Sequence, residues 1–196
     1  MRAFVALELP DAFREETAAL ARSLGGKVAG RFLPQENYHV TLAFLGDVAE
    51  QDAAAAVCAV EAACTAAGPV PLEPVGLGTF GRARDATLFL ELAPAPGIMG
   101  MAERLRGELQ GRGVAFDEKP FRPHVTIARR AQLCSGDLGA LALPDPTLAR
   151  CMTLFKSMLA SAGAQYKPLF SAEVVAAGAA SEGEALASGA LKEVRS

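Results

Sequence analysis

Shifted by about 85 positions, the chain superposes on itself without a gap, and this internal repeat limits the available folds more than any other feature. Phe4 falls on Phe89, Leu20 on Leu105, Leu24 on Leu109, Gly26 on Gly111, His39 on His124, Val40 on Val125 and Thr41 on Thr126. Each copy reads strand, amphipathic helix, strand. In the first, Phe4 to Leu9 has strand composition, and Pro10-Asp11 makes a turn with Asp11 as the helix N-cap. Phe13, Leu20 and Leu24 recur at helical spacing behind acidic Glu15 and Glu16, Gly25-Gly26 stops the helix, and Tyr38 to Leu45 forms a strand ending at Gly46-Asp47. In the second, Leu88 to Leu92 is the strand, and Ile98, Met101, Leu105 and Leu109 make the apolar stripe of the helix.

Outside the repeat, Ala53 to Ala67 reads as an alanine-rich helix closed by Gly68-Pro69. Met152 to Leu159 and Tyr166 to Val175 read as strands paired around a turn at Ser161-Ala162-Gly163. A duplicated strand-helix-strand unit predicts an α+β fold, mainly antiparallel. Its two pseudo-symmetric lobes, each an antiparallel sheet with flanking helices, should surround a central cleft. One two-lobed domain is expected over residues 1–178, with the repeat at about 2–45 and 87–130. Residues 179–196, rich in small side chains, are expected to be a weakly structured tail.

With 51% hydrophobic residues in 196, the chain has ample material for a core. The apolar run Phe4 to Leu9 is interrupted by Glu8 and stopped by Pro10, too short for an export signal or a membrane span, so a cytoplasmic protein is expected. Cys58, Cys64, Cys134 and Cys151 have no CxxC spacing and read as reduced thiols. A net charge of -3 argues against coating long nucleic acid, which needs a broad basic face, but leaves room for one small anionic end.

Only two histidines occur, and each is followed by Val and Thr: His39-Val40-Thr41 and His124-Val125-Thr126. On a strand, residues i and i+2 share a face, so each motif presents a ring nitrogen and a hydroxyl side by side. A lone strand histidine is more often a packing residue than a catalyst. Threonine is scarce, however, and the same offset after both histidines is a coincidence of roughly one in several hundred. A zinc site wants three or four protein ligands, and there is no HExxH or compact Cys/His cluster. A GxSxG elbow is missing too, and a Ser-His-Asp triad uses one histidine, not two equivalent ones. Gly76-x-Gly78-x-x-Gly81 fits a dinucleotide fingerprint as a string, but it leads into the strand Leu88 to Leu92 where that motif needs a helix. Two equivalent bases fit acid and base on opposite sides of one phosphorus.

The chain resembles the two-histidine phosphoesterase superfamily, and within it the RNA 2',3'-cyclic phosphodiesterases, the 2'-5' RNA ligase-like branch. The resemblance rests on Met1 to Ala6, on Asn37 to Leu42 with Phe44-Leu45-Gly46, on Gly76 to Phe80, on Phe121 to Arg129, and on Leu154 to Leu159 with Tyr166. It implies hydrolysis of RNA 2',3'-cyclic phosphate ends to 2'-phosphomonoesters, with His39 as proton donor, His124 as proton acceptor and the hydroxyls of Thr41 and Thr126 on the phosphate. It implies no cofactor, no metal and no membrane or obligate protein partner; the partner is an RNA end carrying a cyclic phosphate. Arg129 is a candidate substrate-binding residue, although it lies an odd number of residues past His124, where strict alternation turns it off the histidine face unless the strand bends. Arg122, two before His124, is a weaker candidate. The rival readings are a nucleotide or RNA-end binding module without turnover, and the same chemistry on small cyclic nucleotides or in 2'-5' ligation.

Overall fold

Five consecutive residues of the first strand, Ala3 to Leu7, are buried, the mark of a strand covered on both faces and not of a half-exposed edge. In the computed structural model, which describes residues 1–65, 67–82, 84–132, 140–160 and 163–175, this strand is the interior of a sheet. β1 (Arg2–Glu8) pairs antiparallel with β3 (His39–Asp47) on one side and β9 (Cys151–Ala160) on the other, and β10 (Gly163–Glu173) adds beyond β9. The second sheet is built alike. β6 (Asp85–Leu92) lies between β7 (His124–Gln132) and β5 (Pro74–Arg82), and β2 (Ala29–Phe32) adds to the outer edge of β7. A ribbon of β4 (Val70–Leu72) and β8 (Thr147–Ala149) completes the strands.

The expected α+β architecture with two antiparallel lobes is therefore present, but the lobes are not the two halves of the sequence. β2, from the first half, joins the second sheet, whereas the late strands β9 and β10 join the first. Helices α1 (Asp11–Gly25) and α3 (Pro96–Gly111) also cross over: α1 touches β2 and β7, and α3 touches β3 and β4. The apolar stripe read from the sequence is the buried one, with Ile98, Met101, Leu105 and Leu109 all in the core. Exchange of elements between lobes makes one continuous core of the whole.

Several boundaries differ from expectation for local reasons. Asp11 is the first helical residue and not the cap; Pro10 precedes it, and the Asp11 carboxylate pairs with Arg14 one turn on. α2 (Glu50–Cys64) starts earlier than Ala53 because Glu50 and Asp52 complement the helix N-terminus, and it ends before Ala67, where the Val175 amide donates to the Cys64 carbonyl at 3.2 Å. The glycines of the apparent dinucleotide fingerprint lie within β5, which is a strand. Cys58, Cys64 and Cys151 are free thiols. Cys134, the turn at Ser161-Ala162 and the tail from residue 179 lie outside the described residues. Among the described residues, no helix is long and apolar enough to cross a membrane.

The repeat is gapless in sequence but not in strand register. Glu8 faces His39 and Ala6 faces Thr41, whereas Glu91 faces His124 and Phe89 faces Thr126, so the inner strands of the two lobes sit two residues apart relative to the histidine strands. Counted from the residue that faces the histidine, the helix begins three positions on in the first lobe, from Glu8 to Asp11, and five in the second, from Glu91 to Pro96, which takes up the difference.

Candidate active site

His39 and His124 are the first residues of β3 and β7, the strands through which the two sheets touch. At that position each ring can turn back onto the chain that enters the strand. The Nδ1 of His124 lies 2.6 Å from the Arg122 carbonyl, and His39 bonds the Asn37 carbonyl, again two residues upstream. A ring nitrogen that donates to a carbonyl carries the proton of the neutral tautomer, which leaves the other nitrogen as a base. The Asn37 side chain is itself tied down, donating to the Ala164 carbonyl of β10 at 2.9 Å.

Aromatic rings back both histidines. Phe4 stacks on His39 with centroids 4.8 Å apart, and Tyr166 meets its face edge-on at 5.2 Å. Phe89 packs on His124 at 5.0 Å, and Phe80 meets it edge-on at 5.1 Å. These walls remove water, so burial is the main cause pushing His39 from its ordinary 6.5 down to about 4, opposed by the Asn37 carbonyl and assisted by the positive fields of His124 and Arg129. His124 is lowered as well, mainly by burial and further by the Arg122 charge, with the Arg122 carbonyl opposing. Both rings are therefore neutral bases in the free protein at neutral pH.

Thr41 and Thr126 are half-buried on the same strand faces as their histidines. Beyond them both strands bulge at equivalent places. Ala6 pairs with Thr41 but Val5 with Ala43, leaving Leu42 extra; Phe89 pairs with Thr126 but Leu88 with Ala128, leaving Ile127 extra. Such a residue resets the alternation of the strand. The bend on which the candidacy of Arg129 depended is thus present: with Ile127 bulged out, Arg129 lines the same cavity as His39 and Thr41. A second irregularity lies at Arg130, where φ is +51°, and pairing resumes beyond it at Ala131, which faces Ala86. The bulge carbonyls are satisfied from across the fold, that of Leu42 by Arg106 Nε of α3 at 3.2 Å and that of Ile127 by the Leu33 amide at 2.8 Å.

The cavity has a volume of about 760 Å³ and is walled by His39, Thr41, Arg129, Phe4 and Tyr166 at one end. His124 and Thr126 stand outside its wall, on the facing strand β7, close enough for His124 to act on the proton affinity of His39. Arg122 is engaged elsewhere: it pairs with Glu91 at 2.8 Å and stacks over Phe80 and Phe89 at 5.3 and 5.4 Å. Among the described residues, no group of three or more His, Cys, Asp or Glu side chains could hold a metal ion. Residue-type reasoning overlooked Asn37 and the supporting roles of Phe4, Phe89 and Tyr166. The match of Phe4 to Phe89 in the repeat was the available signal.

The sequence profile of the 2'-5' RNA ligase superfamily matches residues 9–135, a span containing both histidine motifs. This chain belongs to that superfamily. Its similarity to the RNA 2',3'-cyclic phosphodiesterase of Geobacillus stearothermophilus is 30% identity over 131 residues, 66% of this chain but only 42% of that protein. For the RNA 2',3'-cyclic phosphodiesterase of Thermotoga maritima it is 31% over 134 residues, 66% of this chain and 70% of the relative. Among solved structures, Escherichia coli LigT complexed with 3'-AMP superposes with a TM-score of 0.75 at 26% identity, covering 89% of this chain and 98% of LigT. The family expected from the two His-x-Thr motifs is borne out, as is the two-lobed superfamily fold.

Proposed function

We propose that the protein hydrolyses 2',3'-cyclic phosphates at RNA ends to 2'-phosphomonoesters. The observation that carries this reading is the pairing of two histidines, each heading one of two touching strands, each held by the carbonyl two residues upstream, and each with a threonine hydroxyl beside it. The names of the relatives point to the same substrate. In the reaction a water oxygen attacks phosphorus and the P–O3' bond breaks. His124 accepts the water proton, His39 protonates the departing O3', and the 2'-phosphate remains with a free 3'-hydroxyl. Each proton transfer contributes typically ~10²–10⁴-fold. Thr41, Thr126 and Arg129 meet the charge on the non-bridging oxygens, a well-placed donor contributing roughly 3 kcal/mol. The bound phosphate anion favours the protonated imidazole and so offsets the depression of the histidines in the free protein. A cytoplasmic location, where RNA ends are made and thiols stay reduced, belongs to the same reading.

One observation favours exchanged roles. His39 is pushed down to about 4, which makes it the poorer proton carrier in the free protein, so that His124 would be the donor and His39 the acceptor. A cyclic substrate with sulfur in place of O3' separates the two orders, because a thiolate leaves without protonation. It should restore turnover to the variant that lacks the donor histidine alone. The reading as a whole is tested by incubating the protein, with EDTA present, with an RNA oligonucleotide ending in a 2',3'-cyclic phosphate. A 2'-phosphate product that disappears in both His→Ala variants is expected. Untouched substrate would point instead to the binding module or a different cyclic phosphate.

A further inference from the structure

Residues 112–123, between α3 and β7, form neither helix nor strand, yet they deliver His124 to the start of its strand and supply the Arg122 carbonyl that holds its ring. A segment without a ladder of its own depends on outside contacts for its position. Two of these tie its middle to other elements. The Asp117 amide donates to the Phe44 carbonyl of β3 at 2.8 Å, and the Lys119 carbonyl accepts from Nη1 of Arg106 in α3 at 2.9 Å. Through Nε the same guanidinium donates at 3.2 Å to the carbonyl of Leu42, the residue bulged out of β3 directly after Thr41. Phe116 and Phe121, both of the 112–123 segment, hold it in place, each ring centred 5.8 Å from Cζ.

One half-buried side chain therefore serves both motifs, the strand of His39 and Thr41 on one side and the approach to His124 on the other. Arginine suits the task because its planar fork meets two acceptors with different nitrogens and packs against aromatic rings, whereas lysine has one nitrogen on a flexible stem. The second lobe meets the equivalent need with backbone alone: the bulged Ile127 carbonyl accepts from the Leu33 amide. The match of Arg106 in the repeat is Ala21, which has no side-chain donor. Arg106 itself does not line the cavity. Acid and base must act on one phosphorus from separate sheets, and a misplacement of about 1 Å can cost ~10²-fold in rate.

We infer that Arg106 is a positioning residue for the reaction: by holding the Leu42 and Lys119 carbonyls at once, it sets the alignment of the two His-Thr units across the cleft without touching the substrate. The inference rests on the acid–base reading of that site. Loss of the guanidinium frees the bulge after Thr41 and the segment before His124 together, so both units drift.

The test compares Arg106→Met, which keeps the apolar stem and removes every donor, with Arg106→Lys, which can reach one carbonyl at a time. kcat and KM are measured on an RNA oligonucleotide ending in a 2',3'-cyclic phosphate, well below the unfolding temperature of each variant. Arg106→Met should lower kcat about 10- to 100-fold while KM changes less than about threefold, and Arg106→Lys should recover only part of the loss. In a His39→Ala background the effect of Arg106→Met should shrink to less than about threefold, because no pair of bases remains to be aligned. A melting temperature that falls while kcat stays at the wild-type value would reduce Arg106 to a stabilising residue and overturn the inference, as would a loss of equal size in the His39→Ala background. Should Arg106→Met not fold, Arg106→Lys decides, an unchanged kcat counting against the inference. A wild type that leaves the substrate untouched sinks the catalytic reading alone, and the two imidazole NMR signals then decide the positioning. Both should shift in Arg106→Lys, and a shift confined to one histidine would overturn it.

Discussion

The two lobes carry the same unit of chemistry in different surroundings. In both, a histidine opens the strand, bonds the carbonyl two residues upstream, rests on a phenylalanine and is followed by a threonine and a bulge. Around His39, the neighbouring strands β9 and β10 add Phe155, 5.3 Å from Phe4, and Tyr166, closing the ring in. The corresponding strand beside β6 has Gly78 opposite Phe89, and a Cβ there would lie 2.3 Å from the phenyl ring, so Phe89 fills the space that Phe155 occupies in the first lobe. His124 is left beside the exposed Arg122 and Phe80. Duplication supplied two equal bases, and the unequal packing around them separates their proton affinities.

The hardest test of equivalence is removal of each base. His39→Ala and His124→Ala should each lower kcat by ~10²–10⁴-fold, and the double variant should fall little further, because the two act as one unit. A single variant that keeps most of its activity would break the acid–base pairing. Next in size, Thr41→Val and Thr126→Val should each cost about a hundredfold, roughly 3 kcal/mol, in kcat on the cyclic substrate. A loss confined to Thr41 would show that the cavity-lining hydroxyl alone meets the phosphate.

Proton affinity sharpens the comparison further. With only two histidines, both imidazole signals can be followed by NMR, and His39 should titrate near 4, below His124, which itself titrates below its ordinary value. Since kcat/KM reports the free protein, its optimum should lie on the acid side of 6.5, whereas kcat, measured with the phosphate bound, should peak at higher pH. Coincident optima would mean that the bound anion does not recharge the pair. The sign for stability follows from the lowered pKa: the unfolded chain takes up protons more readily, so the stability present above 6.5 is lost as the pH falls toward 4. Thermal unfolding measured across that interval should show the decline, and His39→Phe should flatten it.

The smallest effect separates the lobes mechanically. Gly78→Ala forces Phe89 to move, which should cost ~1–3 kcal/mol of stability and disturb the His124 signal more than that of His39. Equal disturbance of both would mean that the lobes relax as one body.

Much of this was legible from residue types. The repeat, its helices and both His-x-Thr units follow from spacing, because a strand period of two and a helix period of 3.6 are local rules. The place of Arg129 was not legible. Alternation counted from His124 gives the wrong face, and the bulge at Ile127 that corrects it exists because the register is set by β6 and because Leu33, nearly a hundred residues upstream, meets the freed carbonyl. Membership of β2 in the second sheet was equally hidden, since nothing in Ala29–Phe32 distinguishes one sheet edge from another.

By itself, then, the sequence determined the chemical inventory: two histidines, the hydroxyl beside each, and the secondary structure that puts each pair on one face. Tertiary structure decided what those groups share: the crossing of β2, β9 and β10 between lobes, the phase of Arg129, the reach of Arg106 to both histidine motifs, and the deeper depression of His39. The division has a physical reason. Periodicity is written in neighbouring residues, but burial, register and the electric field at a ring are sums over residues that only the folded chain brings near.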